Sequence, residues 1–332
     1  MFNLHKNNTA CPAPHTKQEV IRVKVLILPK FENGEMTGDF PGEAQFFYEH
    51  YCKGGAQYTI DGGFPGHKLY VKDGIALYVT GCGKVNAVLG LCAVLHDPRF
   101  DFSDAYIISV GCAGSAIGST VMGDVFVISA AVDFDLGHHA DARDLAPDTE
   151  NTWFHNPVYD STAYRILNKE LTEKIYNLVK DTPLHTTEKT RTFMADEFNR
   201  ADWAMREPKV IKGTTLSGDN YWKGIHDHKN AVKMTETYGT PDSFVCAEME
   251  EAPLAVALDR YGLLHRFIAL RASVNIDVFT SGLTPESLWG TQSGAAFDSD
   301  DDMESADIFA AAMENLFRVG KKVIDAISEA KL

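Results

Sequence analysis

Ile75-Ala76-Leu77-Tyr78-Val79-Thr80-Gly81-Cys82-Gly83-Lys84, followed by Val85 to Leu95, decides the fold class. A short continuous apolar run, a two-glycine loop and an apolar helical stretch read as strand, tight turn and helix. An unbroken apolar run, unlike an alternating one, marks a strand covered on both faces, as in sheets with helices above and below. The turn sets backbone N–H groups at a helix N-terminus, a ready site for an anion. It is not a nucleotide-binding P-loop, because Lys84 lacks a following Ser or Thr. It is not a dinucleotide fingerprint either, because Asn86 stands where the third glycine belongs.

The same pattern repeats outward from this unit. Val23 to Leu28, Ala105 to Val110, Val125 to Ala131, Val210 to Leu216 and Phe267 to Ala272 read as strands. Ala44 to Tyr51, opened by Pro41-Gly42-Glu43, reads as a helix, as do Tyr164 to Lys180, Glu248 to Tyr261 and Asp302 to Glu329. Strands alternating with helices predict a three-layer α/β/α fold with functional groups at the C-terminal strand ends. Two long connections, 133–162 and the acidic, Gly/Ser-rich 273–301, have the length of lids or specificity loops. Residues 1–20 are expected to form a flexible arm and 21–332 a single domain.

Composition removes several function classes. With 46 acidic against 31 basic residues the formal charge is −15, a field that repels nucleic-acid phosphates. Six scattered cysteines without a CxxC pair fit neither a disulfide scaffold nor a zinc site. They suggest thiols in a reducing compartment, with one disulfide left open. Ala105 to Gly123 has no charged residue, but Gly111, Gly114, Gly118 and Gly123 break it into β runs rather than a membrane helix. Met1 to Glu19 has no apolar core for a signal peptide. A soluble protein without membrane insertion is expected, cytoplasmic, or periplasmic if an export signal has been removed.

Five motifs in order then carry a family resemblance over about 80–275. Thr80 to Ala87, Ile107 to Gly114 with Gly123-Asp124-Val125 after it, Leu216-Ser217-Gly218-Asp219, Glu248-Met249-Glu250 and Leu270-Arg271-Ala272-Ser273 resemble segments of nucleoside phosphorylases and nucleosidases. Asp135-Leu136-Gly137-His138-His139, Ser217 to Trp222 and Ser273-Val274-Asn275 look most like the branch called purine nucleoside permeases. The resemblance implies a nucleoside phosphorylase-like fold with a central mixed sheet, purine nucleosides as ligands, phosphate or water as co-substrate, and a homo-oligomer. It implies no cofactor and no metal. The activity implied is cleavage of the N-glycosidic bond by phosphorolysis or hydrolysis; the alternative is a nucleoside-binding protein that assists uptake.

Cleavage of C1′–N passes through an oxocarbenium-like sugar, so the site must hold the ribose, shield the cation and help the base leave. By resemblance, Glu250 accepts the ribose hydroxyls and Met249 packs on the sugar. Ser217, Gly218 and Asp219 border the substrate, and Tyr221 and Trp222 stack on the base. Asn275 bonds the purine, where many relatives have Asp; Asp277 takes that role if the register slips by two. Gly81, Gly83, Lys84, Ser109 and Gly111 line the phosphate or water site. Phosphorolytic relatives place Arg at the position of Ser109, leaving Arg143 or Arg271 to bind phosphate. A hydrolytic site would instead activate water with Glu32, Glu35 or Glu43, of which Glu43 at a helix start fits best. His138 and His139, near Asp133, Asp135 and Asp141, are assigned to the sugar pocket or a lid.

Overall fold

The computed structural model describes residues 20–278, except 147, 148 and 150, and 300–332. The expected N-terminal arm up to residue 19, Cys11 and most of the acidic connection after Ser273 lie outside the described residues.

Ten strands form one mixed sheet: β1 (Val25–Leu28), β2 (Ala56–Thr59), β3 (Lys68–Lys72), β4 (Ile75–Tyr78), β5 (Tyr106–Ser115), β6 (Val125–Asp133), β7 (Tyr164–Ile166), β8 (Val210–Ser217), β9 (Phe244–Glu248) and β10 (Phe267–Ile276). The order β7-β6-β8-β9-β5-β1-β4-β3-β2 makes the long path across the sheet. β10 lies off this path. It pairs in parallel with β5 and antiparallel with β6, so that β6, β8, β9, β5 and β10 close into a hydrogen-bonded circuit.

Alternation along each strand explains the layers. Val25 and Ile27 point into one core while Leu26 and Leu28 point into the other; Val125 and Val127 are likewise opposed by Phe126 and Ile128. The face with Leu26 and Phe126 is covered by α1 (Lys84–Leu95) and α5 (Glu251–Arg260) through Leu91, Leu254 and Leu258. The opposite face is covered by α2 (Lys169–Val179) and α6 (Asp300–Ser328) through Ile175, Leu316 and Val323. Two further helices, α3 (Glu188–Glu197) and α4 (Ile225–Thr237), lie between α2 and β8 and between β8 and β9 in the chain.

Three sequence expectations change. The helix read from Tyr164 begins at Lys169; the Asn168 side chain caps it by accepting from Leu171 N, and Tyr164–Ile166 pair with Ala130–Val132 instead. The helix read over Ala44 to Tyr51 has α geometry only at Gln45–Phe47 and continues as a π turn, Tyr48–Cys52. Glu248 ends strand β9 instead of opening a helix, and α5 starts at Glu251 with Pro253 in its first turn, where proline is tolerated.

The C-terminal ends of β6, β8 and β9 are in register, which sets Asp133, Ser217 and Glu248 side by side. Lys30 follows β1 and the Gly81–Gly83 turn follows β4 on the same side of the sheet. Leu316 is fully buried under this sheet. Leu316→Ala should cost about 3 kcal/mol through lost burial and a residual cavity. Leu178→Ala, at an exposed position of α2, should cost less than about 0.5 kcal/mol. Urea denaturation of both variants checks this; equal midpoints would mean that α6 does not hold the sheet.

Candidate active site

Arg271 is the centre of the site, 1% exposed although it is among the largest side chains of the core. Its Nε donates to Glu251 Oε1 at 2.7 Å, and its Nη2 to Glu248 Oε2 at 3.1 Å and Glu250 Oε2 at 3.0 Å. Nη1 donates to the Cys112 carbonyl at 3.0 Å. Three carboxylates therefore converge on one guanidinium, whose planar donor fork suits several acceptors at once. Burial raises Glu248 and Glu250 above the ordinary carboxylate range against the pull of Arg271. Burial pushes Glu251 the same way, but Arg271, Lys30 and the Ser109 hydroxyl outweigh it and hold Glu251 below that range.

Each carboxylate also has a local task. Glu248 Oε2 accepts from the N–H groups of Glu250 and Glu251, and Ser217 Oγ accepts from Ala252 N, which satisfies the open first turn of α5. Glu250 Oε1 accepts from Gly83 N at 2.9 Å. Glu251 Oε1 accepts from Ser109 Oγ at 2.6 Å, while its Oε2 is buried without a hydrogen-bond partner. Glu251 thus belongs to the cluster and does not ride on an exposed helix face.

Glu43 approaches the same centre from the segment after β1. Its two oxygens accept from Lys30 N at 2.7 Å and Cys112 N at 2.8 Å. A Cβ on Gly111 would come within 2.6 Å of Glu43 Oε1 and 2.5 Å of Arg271 Nη1, so glycine is required where these two side chains meet the β5 backbone. Of the alternatives, Glu32 accepts from the backbone N–H groups of Asn33, Gly42 and Ala44 and staples its own loop. Glu35 is exposed on that loop.

Lys30 is the main residue that sequence reasoning missed. It is 1% exposed, with Nζ 2.6 Å from Ser109 Oγ, 2.8 Å from Leu28 O and 3.9 Å from Glu251 Oε1. A cation thus does reach position 109, from the end of β1 instead of from β5. The only sequence signal is its place directly after a strand end.

At the α1 N-terminus, Lys84 N donates to Asp219 Oδ1 at 2.9 Å, and the Lys84 ammonium is held by Asp133 and by Asp135 at 2.7 Å. Burial pulls Lys84 down, yet these two carboxylates leave it above its ordinary value. Asp135 also accepts from Asp219 N, and Gly218 N donates to Glu248 O. Ser217, Gly218 and Asp219 are therefore a clip that joins β8 to the 81–84 and 133–135 segments. Met249 Cε lies 4.0 Å from where a Cβ on Gly83 would stand. Cys82, at the Gly81 turn, is pushed up to about 12 by burial and by Glu43 and Glu250, and burial holds Cys112 well above the ordinary thiol range, so neither is a ready thiolate.

Among the residues expected to meet the base, the Asn275 amide lies about 3.0 Å from where a Gly114 Cβ would be. Trp222 stacks on Phe134 at 4.8 Å. Tyr221 is 72% exposed in the 217–222 segment. Asp277 is bound to His228 and Ile117 N.

Both arginines expected at the phosphate are paired within the protein. Arg143 is 88% exposed and paired with Asp141, its neighbour two residues back. Arg271 is committed to the three glutamates and is not an open phosphate ligand. His138 and His139 are exposed and pair with Trp153 and Phe154 in a two-residue ladder, with His139 Nε2 3.0 Å from the Phe134 carbonyl.

The family model for purine nucleoside permeases matches residues 22–330. The chain belongs to that family. It is 25% identical over 276 residues to a probable purine nucleoside permease of Schizosaccharomyces pombe, covering 76% of this chain and 75% of that protein. It is 25% identical over 208 residues to a purine nucleoside permease of Candida albicans, covering 57% of this chain and half of the other. Its fold is similar to a 5′-methylthioadenosine/S-adenosylhomocysteine nucleosidase of Neisseria meningitidis (TM-score 0.55, 16% identity, 91% of this chain and 99% of that one). It is also similar to a futalosine hydrolase of Helicobacter pylori (TM-score 0.53, 15% identity, 91% and 99%). The family name speaks of transport; among the described residues no helix is long and apolar enough to cross a membrane.

Without Arg271, three desolvated carboxylates would face only Lys30, and their folded pKa values would rise above the unfolded ones. Such groups lose stability as the pH rises through the folded value. Arg271→Met should therefore cost about 3–5 kcal/mol at pH 7, and its deficit relative to the parent should shrink at pH 5. Denaturant titrations at the two pH values test this; a deficit equal or larger at pH 5 would mean that the guanidinium does not balance these carboxylates.

Proposed function

We propose that this permease-family chain hydrolyses the N-glycosidic bond of purine nucleosides, with water and not phosphate as acceptor. One observation carries the choice of water. The anion site expected at the N-terminus of α1 is filled by the protein's own carboxylates, Glu250 on Gly83 N and Asp219 on Lys84 N. The nearby cations are engaged as well: Arg271 with three glutamates, Lys84 with two aspartates, Lys30 with Ser109 and backbone carbonyls. A phosphate dianion would enter beside Glu43 and Glu250 without an open donor pair, at a Coulombic cost that a low-dielectric site magnifies.

A neutral water meets no such barrier. Each oxygen of Glu43 uses one acceptor position on a backbone N–H and keeps another for water. Glu43 orients that water and takes its proton as it adds to C1′. Glu250 keeps an acceptor position on each oxygen for the ribose hydroxyls, and its charge stabilises the sugar cation at the transition state. Asn275 offers the base an N–H and a carbonyl, and Tyr221 covers it. The similarity of fold to nucleosidases supports this reading; the names of the sequence relatives support the alternative, a nucleoside binder in uptake.

In phosphate-free buffer the protein should release free base and free ribose from inosine, guanosine or adenosine, at a rate that added phosphate does not raise. Glu43→Gln and Glu250→Gln should each lower kcat about a hundredfold or more in the folded protein, with some loss of melting temperature, because each carboxylate accepts on both oxygens. Chromatography of base and sugar products decides. Ribose 1-phosphate formed only with phosphate present would make the protein a phosphorylase. Saturable nucleoside binding without base release would favour the uptake reading.

A further inference from the structure

The hydrolysis scheme leaves one step unassigned. The base departs with the electron pair of the C1′–N bond and needs a proton, and the amide of Asn275 has none to give. A carboxylate–imidazole pair stands close by. Asp277, two residues beyond Asn275, has its Oδ2 2.6 Å from Nδ1 of His228, in the first turn of α4. Its Oδ1 accepts from Ile117 N at 2.9 Å, and its backbone donates to Ser115 O at 2.8 Å and accepts from Gly224 N at 3.0 Å. The aspartate is 2% exposed in its side chain and the histidine 17%. Fixed from three sides, Asp277 orients the ring through Nδ1 and leaves Nε2 without a hydrogen-bond partner among the described residues. An imidazole held by a carboxylate on one nitrogen and open on the other is arranged for proton transfer.

The pair adjoins the segments that carry the residues assigned to the base. Asp277 directly follows β10, two residues after Asn275, whose amide lies about 3.0 Å from where a Gly114 Cβ would stand. The His228 ring meets Phe244 edge-on at 5.7 Å, and Phe244 neighbours Trp222 at 6.3 Å. The Gly224 N–H bond ties the loop that carries Tyr221 and Trp222 to Asp277 itself.

We infer that His228, oriented by Asp277, is the general acid that protonates the departing purine. In the protonated ring Nδ1–H donates to Asp277 and Nε2–H faces the base. The C1′–N bond breaks with its electron pair moving into the purine, a ring nitrogen of the purine takes the Nε2 proton, and water adds to C1′ while losing its proton to Glu43. His228 then regains a proton from solvent and Glu43 releases one, so the net change is addition of water across the bond. The inference rests on the hydrolysis reading.

A leaving group that needs no proton separates this role from a structural one. Inosine and p-nitrophenyl β-D-riboside are compared with the parent protein, His228→Gln, His228→Ala and His226→Ala. His228→Gln keeps a polar side chain beside Asp277 should the alanine variant fail to fold. Both His228 variants should lose about a hundredfold or more in kcat on inosine and stay within about threefold on the nitrophenyl riboside. His226→Ala, exposed one half-turn away, should leave both rates unchanged. Equal losses on the two substrates in a folded His228 variant, or no loss on either, would overturn the assignment and leave the pair as a pin between α4 and β10. If the parent protein cleaves neither substrate, the hydrolysis reading itself fails and takes this inference with it.

Discussion

A guanidinium buried among three carboxylates is the constraint around which the rest of the structure is arranged. A desolvated ion is tolerated only when its partners are placed for it, because removing one partner leaves an uncompensated charge in the interior. Arg271 sits in β10, while Glu248, Glu250 and Glu251 come from the β9–α5 junction. These segments face each other because β10 leaves the linear path of the sheet and closes the circuit through β5 and β6. Topology and electrostatics thus require each other: the closure brings the charges together, and the paired charges make the closure tolerable at its polar end. Gly111 and Gly83 serve the same arrangement, since side chains there would strike Arg271 and Glu43, or Asp219.

Much of this was legible in the sequence because its causes are local. Unbroken apolar runs marked strands buried on both faces, and the glycine turns marked strand ends where chemistry collects. Where the reading failed, the deciding partner was remote. Glu248-Met249-Glu250 looks helical because carboxylates suit a helix start, yet Phe244–Glu248 is held as a strand by β8 and β5. Tyr164–Ile166 fits a helical stripe but finds an edge on β6. The hairpin strands β2 and β3 are short and largely polar on their open faces, so they gave no apolar run to notice.

The site divides in the same way. The Glu43 position followed from its place at a helix start after the first strand, and Glu250 from its motif. Lys30 and the His228–Asp277 pair did not, since a lysine after a proline and a histidine in a polar helix look like surface residues until the fold buries them. The Ser109 substitution shows the limit from the other side. Reading an absent arginine as an absent cation assumed that position 109 must supply its own charge, whereas Lys30 delivers one across the strand boundary.

The charge balance of the cluster bears on catalysis against mere binding. Four carboxylates, Glu43, Glu248, Glu250 and Glu251, surround two cations, Arg271 and Lys30, and burial raises Glu248 and Glu250 as expected where negative charge is in excess. Holding such an excess in a dry site costs stability. A neutral nucleoside in its ground state recovers little of that cost. On the proposed hydrolysis, the oxocarbenium-like sugar would recover far more, because its positive charge would appear beside Glu250 and Glu43. The same field would disfavour a phosphate co-substrate. Under that proposal, a site strained by excess negative charge at rest would be relieved as the sugar becomes cationic.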